Sequence, residues 1–398
     1  MTRSVFLFCR VNTKQLARAV DEGAHVAAAY NKCCSMVRAF NTDELPCTLV
    51  TVPVLNSGFK KLNKFHWLSY IEDQTKIVQL GSIGWPIVDR IFAAIGFLFF
   101  CLRFIRRDDV LVLYNFFPEY IPASLLANIK GARIILDVED APRNDEKGLR
   151  GMVNRVSFRA LRLIRPRGYL TVSTKIVNKL SLSPVVVVYG VVSSDKFRAK
   201  IYPQNYSAIN IIFGGALLRE TGLDVLVATL RLLAEKMNQL KTPLHFFVTG
   251  FGETERIKDQ IGAIQFGDKV SCTLALDVPF DEYKKILEMC DVGLCLKDPF
   301  IEMGDTTFPS KVVEIAAQGL LLISSKVSDV PMLFRSDEAL LLDQYDAASL
   351  SVALMQISSD TSMIEAIATR GRERVVADLS EGAIRSKFAN LLIVLSKG

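Results

Sequence analysis

The chain has 398 residues, of which 50% are apolar and 23% are charged, and its formal net charge is +6. This composition excludes an intrinsically disordered chain, and the length predicts two domains of about 150–200 residues each. The mean hydropathy is high at +0.27, yet the longest apolar stretch, Ile91–Leu102, has only 12 residues. Because about 20 are needed to span a bilayer, we expect no transmembrane helix, no signal peptide and a cytoplasmic location.

The eight cysteines and three histidines show no pattern of a metal site. No Cys-x-x-Cys pair occurs, and Cys9, Cys101 and Cys295 lie in apolar runs. Metal ligands usually cluster at short spacings, so this distribution predicts reduced thiols in the core and no metal. We expect no cofactor either.

Apolar strand-like segments alternate with helical patterns from the N-terminus onward. The predicted strands of the first half are Ser4–Cys9, Cys47–Val54, Asp109–Tyr114, Arg133–Val138, Gly168–Val172 and Val185–Tyr189. The predicted helices are Pro86–Arg106, Glu119–Ile129 and Leu149–Ile164. This alternation is typical of a parallel sheet with crossover helices, in which ligands bind beyond the carboxyl ends of the strands.

Acidic residues gather where the predicted strand Arg133–Val138 ends. Asp137, Glu139 and Asp140 follow one another closely there. Clustered carboxylates at the end of a buried strand are costly unless they are used, so we predict that Glu139 and Asp140 are catalytic. Glu119, which follows the preceding strand, is predicted to support them or to contact a substrate. A purely structural role is the alternative.

Basic residues are concentrated in the first half of the chain. Residues 1–195 hold 26 Lys and Arg against 16 Asp and Glu, whereas residues 196–398 hold 22 against 26. The basic residues that lie near apolar or aromatic side chains are Lys60, Lys61, Lys64, Arg103, Arg106, Arg107, Arg155, Arg159 and Arg162. This pattern indicates peripheral contact with an anionic membrane, with a solvated basic face as the alternative. No nucleic-acid-binding module is recognisable, so we expect no nucleic-acid partner.

The alternation restarts after a polar break at residues 191–205. The predicted elements that follow are Asn210–Gly214, Asp224–Lys236, Leu244–Thr249, Thr254–Ile261, Lys269–Leu274, Phe280–Met289 and Val292–Leu296. We therefore predict an α/β chain of two Rossmann-like, doubly wound parallel-sheet domains, residues 1–195 and 196–376, that face each other across a cleft. A C-terminal helix in residues 377–398 is expected to pack back toward the first domain.

Three loops that follow strands in the second half contain candidate binding residues. These are Gly214, Gly215, Arg219, Gly250, Gly252 and Val278. The glycines would let a backbone approach a phosphate or a planar ring, the arginine could neutralise a phosphate, and the backbone near the valine could hydrogen-bond a base. Plain turns and a plain helix start are the alternatives. The second glycine pair lacks the third glycine of a dinucleotide fingerprint, so NAD is not expected.

The segment from Gly304 to Ser324 is the most informative part of the chain. It predicts a polar loop, a short helix and a buried strand. The polar residues around the helix start are Thr306, Thr307, Ser310, Lys311 and Glu314. A helix N-terminus with hydroxyls and a lysine suits a phosphate, and a carboxylate one turn further along can accept hydrogen bonds from sugar hydroxyls. The segment therefore predicts a site for a nucleotide sugar.

Taken together, these motifs resemble the second domain of GT-B glycosyltransferases, in particular the retaining group 1 (family 4) enzymes. The matching segments are Gly214-Gly215, Gly222–Leu226, Thr249–Glu253, Asp291–Leu294 and Phe308–Gly319. The resemblance implies that Glu314 holds the donor ribose, that Ser310 and Thr307 lie by the sugar or diphosphate, and that the loop after Thr249 lies by the base. It also implies sugar transfer from a UDP- or GDP-sugar co-substrate to a saccharide or lipid-linked acceptor in polysaccharide or glycoconjugate biosynthesis.

Three positions depart from the family pattern. The relatives often have a glutamate in place of Thr306, an arginine in place of Ala216 and a lysine in place of Thr221. Arg219 or Lys311 could substitute for the missing cations. A non-catalytic nucleotide-binding or scaffold protein of the same fold is therefore one alternative. A sugar-nucleotide epimerase is another, although the scarcity of histidines for acid–base work argues against it.

Overall fold

A computed structural model describes residues 3–14, 27–53, 67–82, 86–142, 146–193, 200–302, 304 and 307–397. The chain divides into two compact units. The first consists of Met1–Val191 and Leu379–Gly398, and the second of Val192–Asp378. Each unit is built around its own sheet.

The first unit has an eight-stranded sheet with the order β3-β4-β2-β1-β5-β6-β7-β8. Its strands are β1 (Val5–Cys9), β2 (Cys47–Thr51), β3 (Leu68–Glu72), β4 (Thr75–Gln79), β5 (Val110–Tyr114), β6 (Arg133–Val138), β7 (Gly168–Thr171) and β8 (Val185–Val187). Neighbouring strands are parallel except for β3 and β4. Strands β2 and β5 are buried along their whole length, as expected for a parallel sheet covered on both faces.

The β3–β4 hairpin does not appear among the predicted strands. Strand β3 lies at the sheet edge and is mostly exposed or half-buried, so it lacks a continuous apolar run. Its turn is formed by Asp73 and Gln74, which both have positive φ angles of 48° and 59°. Two such residues produce the turn twist that suits a tight antiparallel hairpin.

The helices that follow the strands of this unit are α1 (Ala27–Phe40), α2 (Pro86–Phe104), α3 (Ile121–Ile129), α4 (Gly148–Leu163) and α5 (Thr174–Leu180). Parallel crossovers are right-handed. The chain moves in one direction across the sheet from β4 through β5 to β8, and in the other from β1 to β2. Helices α2–α5 therefore cover one face of the sheet, and α1 covers the opposite face.

The second unit has a six-stranded, wholly parallel sheet with the order β11-β10-β9-β12-β13-β14. Its strands are β9 (Ile209–Leu217), β10 (Leu244–Gly252), β11 (Val270–Leu276), β12 (Val292–Cys295), β13 (Leu321–Ser324) and β14 (Leu340–Leu341). Its helices are α6 (Leu223–Glu235), α7 (Thr254–Gly262), α8 (Phe280–Met289), α9 (Ser310–Ala317), α10 (Val330–Leu333), α11 (Ala347–Ser359) and α12 (Ser362–Leu379). A continuous apolar core, made mainly of aliphatic side chains, joins this sheet to its helices.

The last helix, α13 (Glu381–Lys397), belongs to the first unit and packs on α1. The rings of Phe40 and Phe388 stack with centroids 3.8 Å apart. At the edge of this contact, Arg38 donates a hydrogen bond of 2.8 Å to Glu381. The contact buries the apolar side of α13, which explains why this terminal helix is ordered against the sheet that begins the chain.

Candidate active site

Helix α9 presents a lysine and a carboxylate at the carboxyl edge of the second sheet. It begins at Ser310, after Pro309, so Lys311 and Glu314 lie on neighbouring turns of one face. The Lys311 ammonium donates hydrogen bonds of 2.7 Å to Glu314 Oε2 and 2.7 Å to the hydroxyl of Tyr283 in α8. The predicted residues Lys311 and Glu314 are therefore together, and Tyr283 is a third member that the sequence patterns did not indicate.

Burial and the carboxylate of Glu314 determine the protonation states of Lys311 and Tyr283. Burial alone would lower the pKa of Lys311, but the attraction of Glu314 and the contact with Tyr283 raise it above its usual value. Burial, followed by the nearby Glu314 charge, raises the pKa of Tyr283 to about 12. At neutral pH Lys311 is thus a cation and Tyr283 a neutral hydroxyl.

Gly214 and Gly215 bring the end of β9 directly against this cluster. A Cβ atom added to Gly215 would lie 3.4 Å from Lys311 Cε, and one added to Gly214 would lie 3.3 Å from Tyr283 Cε2. The absence of side chains therefore leaves backbone next to the ammonium group. Such a surface can accommodate a phosphate close to the main chain.

Gly250 and Gly252 lie within paired strand, because β9 and β10 extend further than the predicted strands Asn210–Gly214 and Leu244–Thr249. Gly250 has φ +141°, and an added Cβ would lie 1.8 Å from the carbonyl oxygen of Gly215. This close approach gives Gly250 a structural requirement of its own. The sequence patterns stop both strands early because they treat glycine as a turn signal.

The loop with Val278 lies beside the end of β10. Asp277, which has φ +53°, donates its backbone N–H to Gly250 O at 2.9 Å. Val278 follows it and is half-buried before α8 begins at Phe280. The predicted base-binding backbone is thus placed at the same sheet edge as the glycines.

Arg219 lies in the turn between β9 and α6. Its side chain is 82% exposed and forms an ion pair with Asp224 at 3.5 Å. Thr221, one of the departures from the family pattern, donates its hydroxyl to the carbonyls of Ala216 and Leu218 at 2.6 and 2.8 Å. Thr221 therefore closes the turn itself, and Arg219 points to solvent beside it.

A second lysine, which the sequence patterns did not indicate, follows strand β12. Lys297 donates a hydrogen bond to the hydroxyl of Thr307. Its backbone carbonyl accepts a hydrogen bond of 2.5 Å from Ser325. Its position just after a buried strand is the sequence signal that could have indicated Lys297, because ligands bind beyond the carboxyl ends of parallel strands. Ser310 is exposed at the helix start, and Thr306 lies outside the described residues.

In the first unit, Glu139 lies at the carboxyl edge and pairs with Lys32 of α1. Its backbone N–H donates a hydrogen bond of 3.1 Å to Asn115 Oδ1, and Asn115 follows β5. Burial lowers the pKa of Lys32, but Glu139 and Asp137 more than offset this and raise it. The side chain of Glu139 is 12% exposed, whereas Asp140 is exposed.

Asp137 is buried beside this ion pair. Burial, and then repulsion from Glu139, raise the pKa of Asp137 well above its usual value. Two carboxylates with different environments thus stand side by side, one paired with a lysine and one favouring its protonated form. Such a difference is typical of sites that handle protons.

Glu119 has an ion-pair partner that sequence spacing could not reveal. Arg10, just after β1, lies 2.5 Å from Glu119 Oε1 and 3.3 Å from Asp89 Oδ2. Glu119 is 2% exposed, and its Oε2 has no hydrogen-bond partner among the described residues. The Arg10–Glu119 ion pair therefore connects the segments that follow β1 and β5.

Two observations concern membrane-spanning helices and metal sites. Within the described residues, every helix falls short of the length and apolar character needed to cross a membrane. In the same part of the chain, no group of three or more His, Cys, Asp or Glu side chains is placed to hold a metal ion.

In comparisons with known proteins, the second unit is similar to glycosyltransferase sequences. Residues 196–374 match the family model described as glycosyl transferases group 1. The amylovoran biosynthesis glycosyltransferase AmsK of Erwinia amylovora is 22% identical over 204 residues, which cover 50% of this chain and 48% of AmsK. WcaL of Salmonella typhimurium, a putative colanic acid biosynthesis glycosyltransferase, is 27% identical over 169 residues, 41% of each chain. The chain matches about half the length of these curated relatives.

Solved structures share the fold over nearly the whole chain. A glycosyltransferase from Rickettsia africae has a TM-score of 0.66 and 13% identity, and the match covers 100% of this chain and 99% of that one. The Anabaena protein HepE in complex with UDP has a TM-score of 0.62 and 13% identity, over 98% and 100% of the two chains. TarM has a TM-score of 0.67 and 10% identity, over 98% and 99%. The predicted fold class, two Rossmann-like α/β domains of the GT-B type, is confirmed.

Proposed function

We propose that this chain is a glycosyltransferase that moves a sugar from a UDP- or GDP-sugar to a saccharide or lipid-linked acceptor. Its pathway would be polysaccharide or glycoconjugate biosynthesis, as for AmsK and WcaL by their names. The observation that carries the proposal is the contact of Lys311, Glu314 and Tyr283 beside Gly214 and Gly215. This contact lies inside the segment that matches the group 1 family model.

In this proposal the donor diphosphate lies between the end of β9 and the start of α9. The Lys311 ammonium and the free N–H groups of the first helical turn would stabilise the negative charge that grows on the diphosphate as the glycosidic bond breaks. These groups supply the charge stabilisation without a metal, and the donor is a co-substrate with no further cofactor. Lys297, which follows the neighbouring strand β12, and Thr307, in the loop before α9, are further hydrogen-bond donors for the sugar or diphosphate.

Glu314 lies one helical turn beyond Lys311 and would accept hydrogen bonds from the ribose hydroxyls. The backbone around Val278 would contact the base. HepE from Anabaena has been solved in complex with UDP-glucose, which makes UDP the first nucleotide to test. Retention of anomeric configuration follows from the resemblance to family 4 and forms part of the proposal.

The acceptor would bind the first unit, at the edge that carries Glu139 and Asp140. Lys32 holds the Glu139 side chain in place through their ion pair, so that the carboxylate could orient an acceptor hydroxyl. The buried carboxyl group of Asp137 lies beside this ion pair, and its pKa is raised by burial and by repulsion from Glu139. For a lipid-linked acceptor, the chain would work while attached peripherally to the cytoplasmic face of an anionic membrane.

The direct test is nucleotide release from a panel of UDP- and GDP-sugars, with and without an acceptor from a lipid extract. We expect one donor to release its nucleotide faster when the acceptor is present, and the acceptor to gain a sugar by mass spectrometry. Nucleotide binding without turnover for the whole panel would favour a non-catalytic binding protein. Conversion of the donor into an isomeric nucleotide sugar would favour an epimerase.

A further inference from the structure

Three helices on one face of the first unit expose apolar side chains at helical spacing. Helix α2 packs against α3, and α3 packs against α4. On α2 the most exposed apolar residues are Ile91, Ile95, Phe99 and Leu102, with exposed fractions of 54–59%. On α3 they are Leu125 and Ile129, and on α4 they include Leu149, Met152 and Val156. We call the outer surface formed by these residues of α2, α3 and α4 the apolar face.

These residues recur every three or four positions, so each helix directs one stripe outward. The inward stripes are already used, as shown by Phe97 of α2, which stacks on Phe8 of β1 with ring centroids 4.7 Å apart. The outward stripes are thus additional apolar surface beyond what the core requires. Contiguous apolar surface of this kind marks a binding surface in a folded protein.

A groove runs into the apolar face between α2 and α3. Its volume is about 300 Å³, and its walls are formed mainly by Ile91, Ile95, Leu98 and Pro122. The walls of the groove are almost wholly apolar, which suits a hydrocarbon chain. Arg90 lies at its rim, and Glu119 lies at its end, where it is bound to Arg10.

Exposed arginine side chains follow the apolar residues on α2 and α4, and we call these arginines the arginine rim. Arg103, Arg106 and Arg107 are exposed at the end of α2, and Arg159 and Arg162 are exposed on α4. Helices α2, α3 and α4 contain a single acidic residue, Asp89, which is 2% exposed. After α2, Asp109 is 4% exposed, whereas the Asp108 side chain is 46% exposed and lies 3.8 Å from Arg133. The apolar face therefore carries a net positive rim.

An aromatic group lies where the apolar and basic residues meet. The ring of Trp67 contacts Phe99 and Phe104 of α2 at centroid distances of 5.8 and 6.3 Å. Arg103 lies 5.8 Å from the ring centre of Phe104. Tryptophan with apolar and basic neighbours is typical of the boundary between lipid headgroups and acyl chains.

We propose that the apolar face docks onto an anionic phospholipid bilayer, with one acyl chain in the groove and the arginines on the headgroup phosphates. A second copy of the chain is a poorer occupant, because a symmetric contact would place the two arginine rims against each other. A nucleic acid would engage the arginines but would leave the aliphatic stripes uncovered. This inference rests on the proposed function in one respect: the proposed lipid-linked acceptor is what would make membrane contact useful.

Co-sedimentation of the full chain with vesicles, in the absence of any nucleotide sugar, tests the docking. We expect binding to vesicles of equal parts phosphatidylglycerol and phosphatidylcholine, and much weaker binding to phosphatidylcholine alone. The double substitution Ile95→Glu/Ile129→Glu should lower the bound fraction at least about tenfold, since charged groups resist burial among acyl chains. Arg103→Glu/Arg106→Glu should do the same by removing attraction to the headgroups.

Matched controls lie in the second unit. Val352, on α11, is 60% exposed, and Arg231 is exposed on α6, so Val352→Glu and Arg231→Glu should bind vesicles like the unmodified chain. Circular dichroism verifies that all variants are folded. Equal binding to both vesicle types, or unchanged binding by both double variants, would overturn the proposal. So would light scattering that shows dimers of the unmodified chain and monomers of Ile95→Glu/Ile129→Glu.

Separate assays, vesicle binding and sugar transfer, distinguish a failure of the docking proposal from a failure of the proposed function. Vesicle binding that persists when no donor is turned over would leave docking intact and remove the proposed function. Sugar transfer to a water-soluble acceptor without vesicle binding would do the reverse.

Discussion

The Lys311 ammonium nitrogen lies 2.7 Å from the Tyr283 hydroxyl and 4.6 Å from the centre of its ring. Tyr283 comes from α8 and Lys311 from α9, so the contact joins two helices that follow different strands of one sheet. The same ammonium is bound to Glu314. The cation is therefore held in position without a ligand, so the proposed binding of a donor diphosphate would need less ordering of this side chain.

Replacing Glu314 should disrupt donor binding. Glu314→Gln keeps the side-chain size but removes the charge, and hydrogen bonds to a charged group are worth about 1.5–3 kcal/mol. We therefore expect UDP or GDP affinity, measured by isothermal titration calorimetry, to fall at least about tenfold. Glu288→Gln is the matched control, because Glu288 forms an exposed pair with Lys284 at 3.8 Å on α8. Unmodified affinity of Glu314→Gln would remove Glu314 from the donor site.

The pH dependence of donor binding tests the charge on Lys311. Its pKa is raised above the ordinary value of 10.5, so the charged form, and the stability that it contributes with Glu314, is complete below that value. Both are lost only as the pH rises through the raised pKa. Nucleotide affinity should thus stay constant from about pH 7 to 9, well below the range in which a lysine loses its proton. A loss of affinity centred at about pH 8 would show instead that burial lowers the pKa of Lys311 by more than Glu314 and Tyr283 raise it.

Glu139 should affect transfer more than donor binding. A positioned carboxylate typically contributes at least about 100-fold to a proton-transfer step, so Glu139→Gln should slow sugar transfer by roughly that factor. Donor affinity should remain within about twofold in calorimetry, since Glu139 belongs to the other unit. Glu44→Gln, at an exposed position of the same unit, serves as the control. Equal turnover of Glu139→Gln and the unmodified chain would show that Glu139 is not catalytic.

Gly250→Ala should destabilise the second unit. The added methyl group would meet Gly215 O at 1.8 Å, and φ is +141°, so the β9–β10 pairing must shift. We expect a loss of more than about 2 kcal/mol in the free energy of unfolding, measured by urea denaturation with circular dichroism. Gly262→Ala, at the end of α7, meets nothing within 4 Å and should be neutral or slightly stabilising. Similar unfolding curves for the two variants would contradict the packing argument.

The sequence by itself determined the fold class, and it indicated the region of the proposed donor site. Hydrophobic periodicity, helix starts and glycine positions act over a few residues, so they predict strands such as Arg133–Val138 and the helix that begins near Ser310. The same local patterns place Lys311 and Glu314 on one helix face. They end β9 and β10 too early, because a glycine in a paired strand and a glycine in a turn look alike without the partner strand.

Only the tertiary structure decided which polar side chains meet. Lys32 pairs with Glu139 across 107 positions, Arg10 with Glu119 across 109, and Lys311 with Tyr283 across 28. These partners come from different strand ends and helices, and the strand order decides which of them are neighbours. Strand order depends on the packing of the whole unit rather than on any short segment. For this reason the sequence identified the carboxylates, while the lysine and arginine that hold them became visible only in three dimensions.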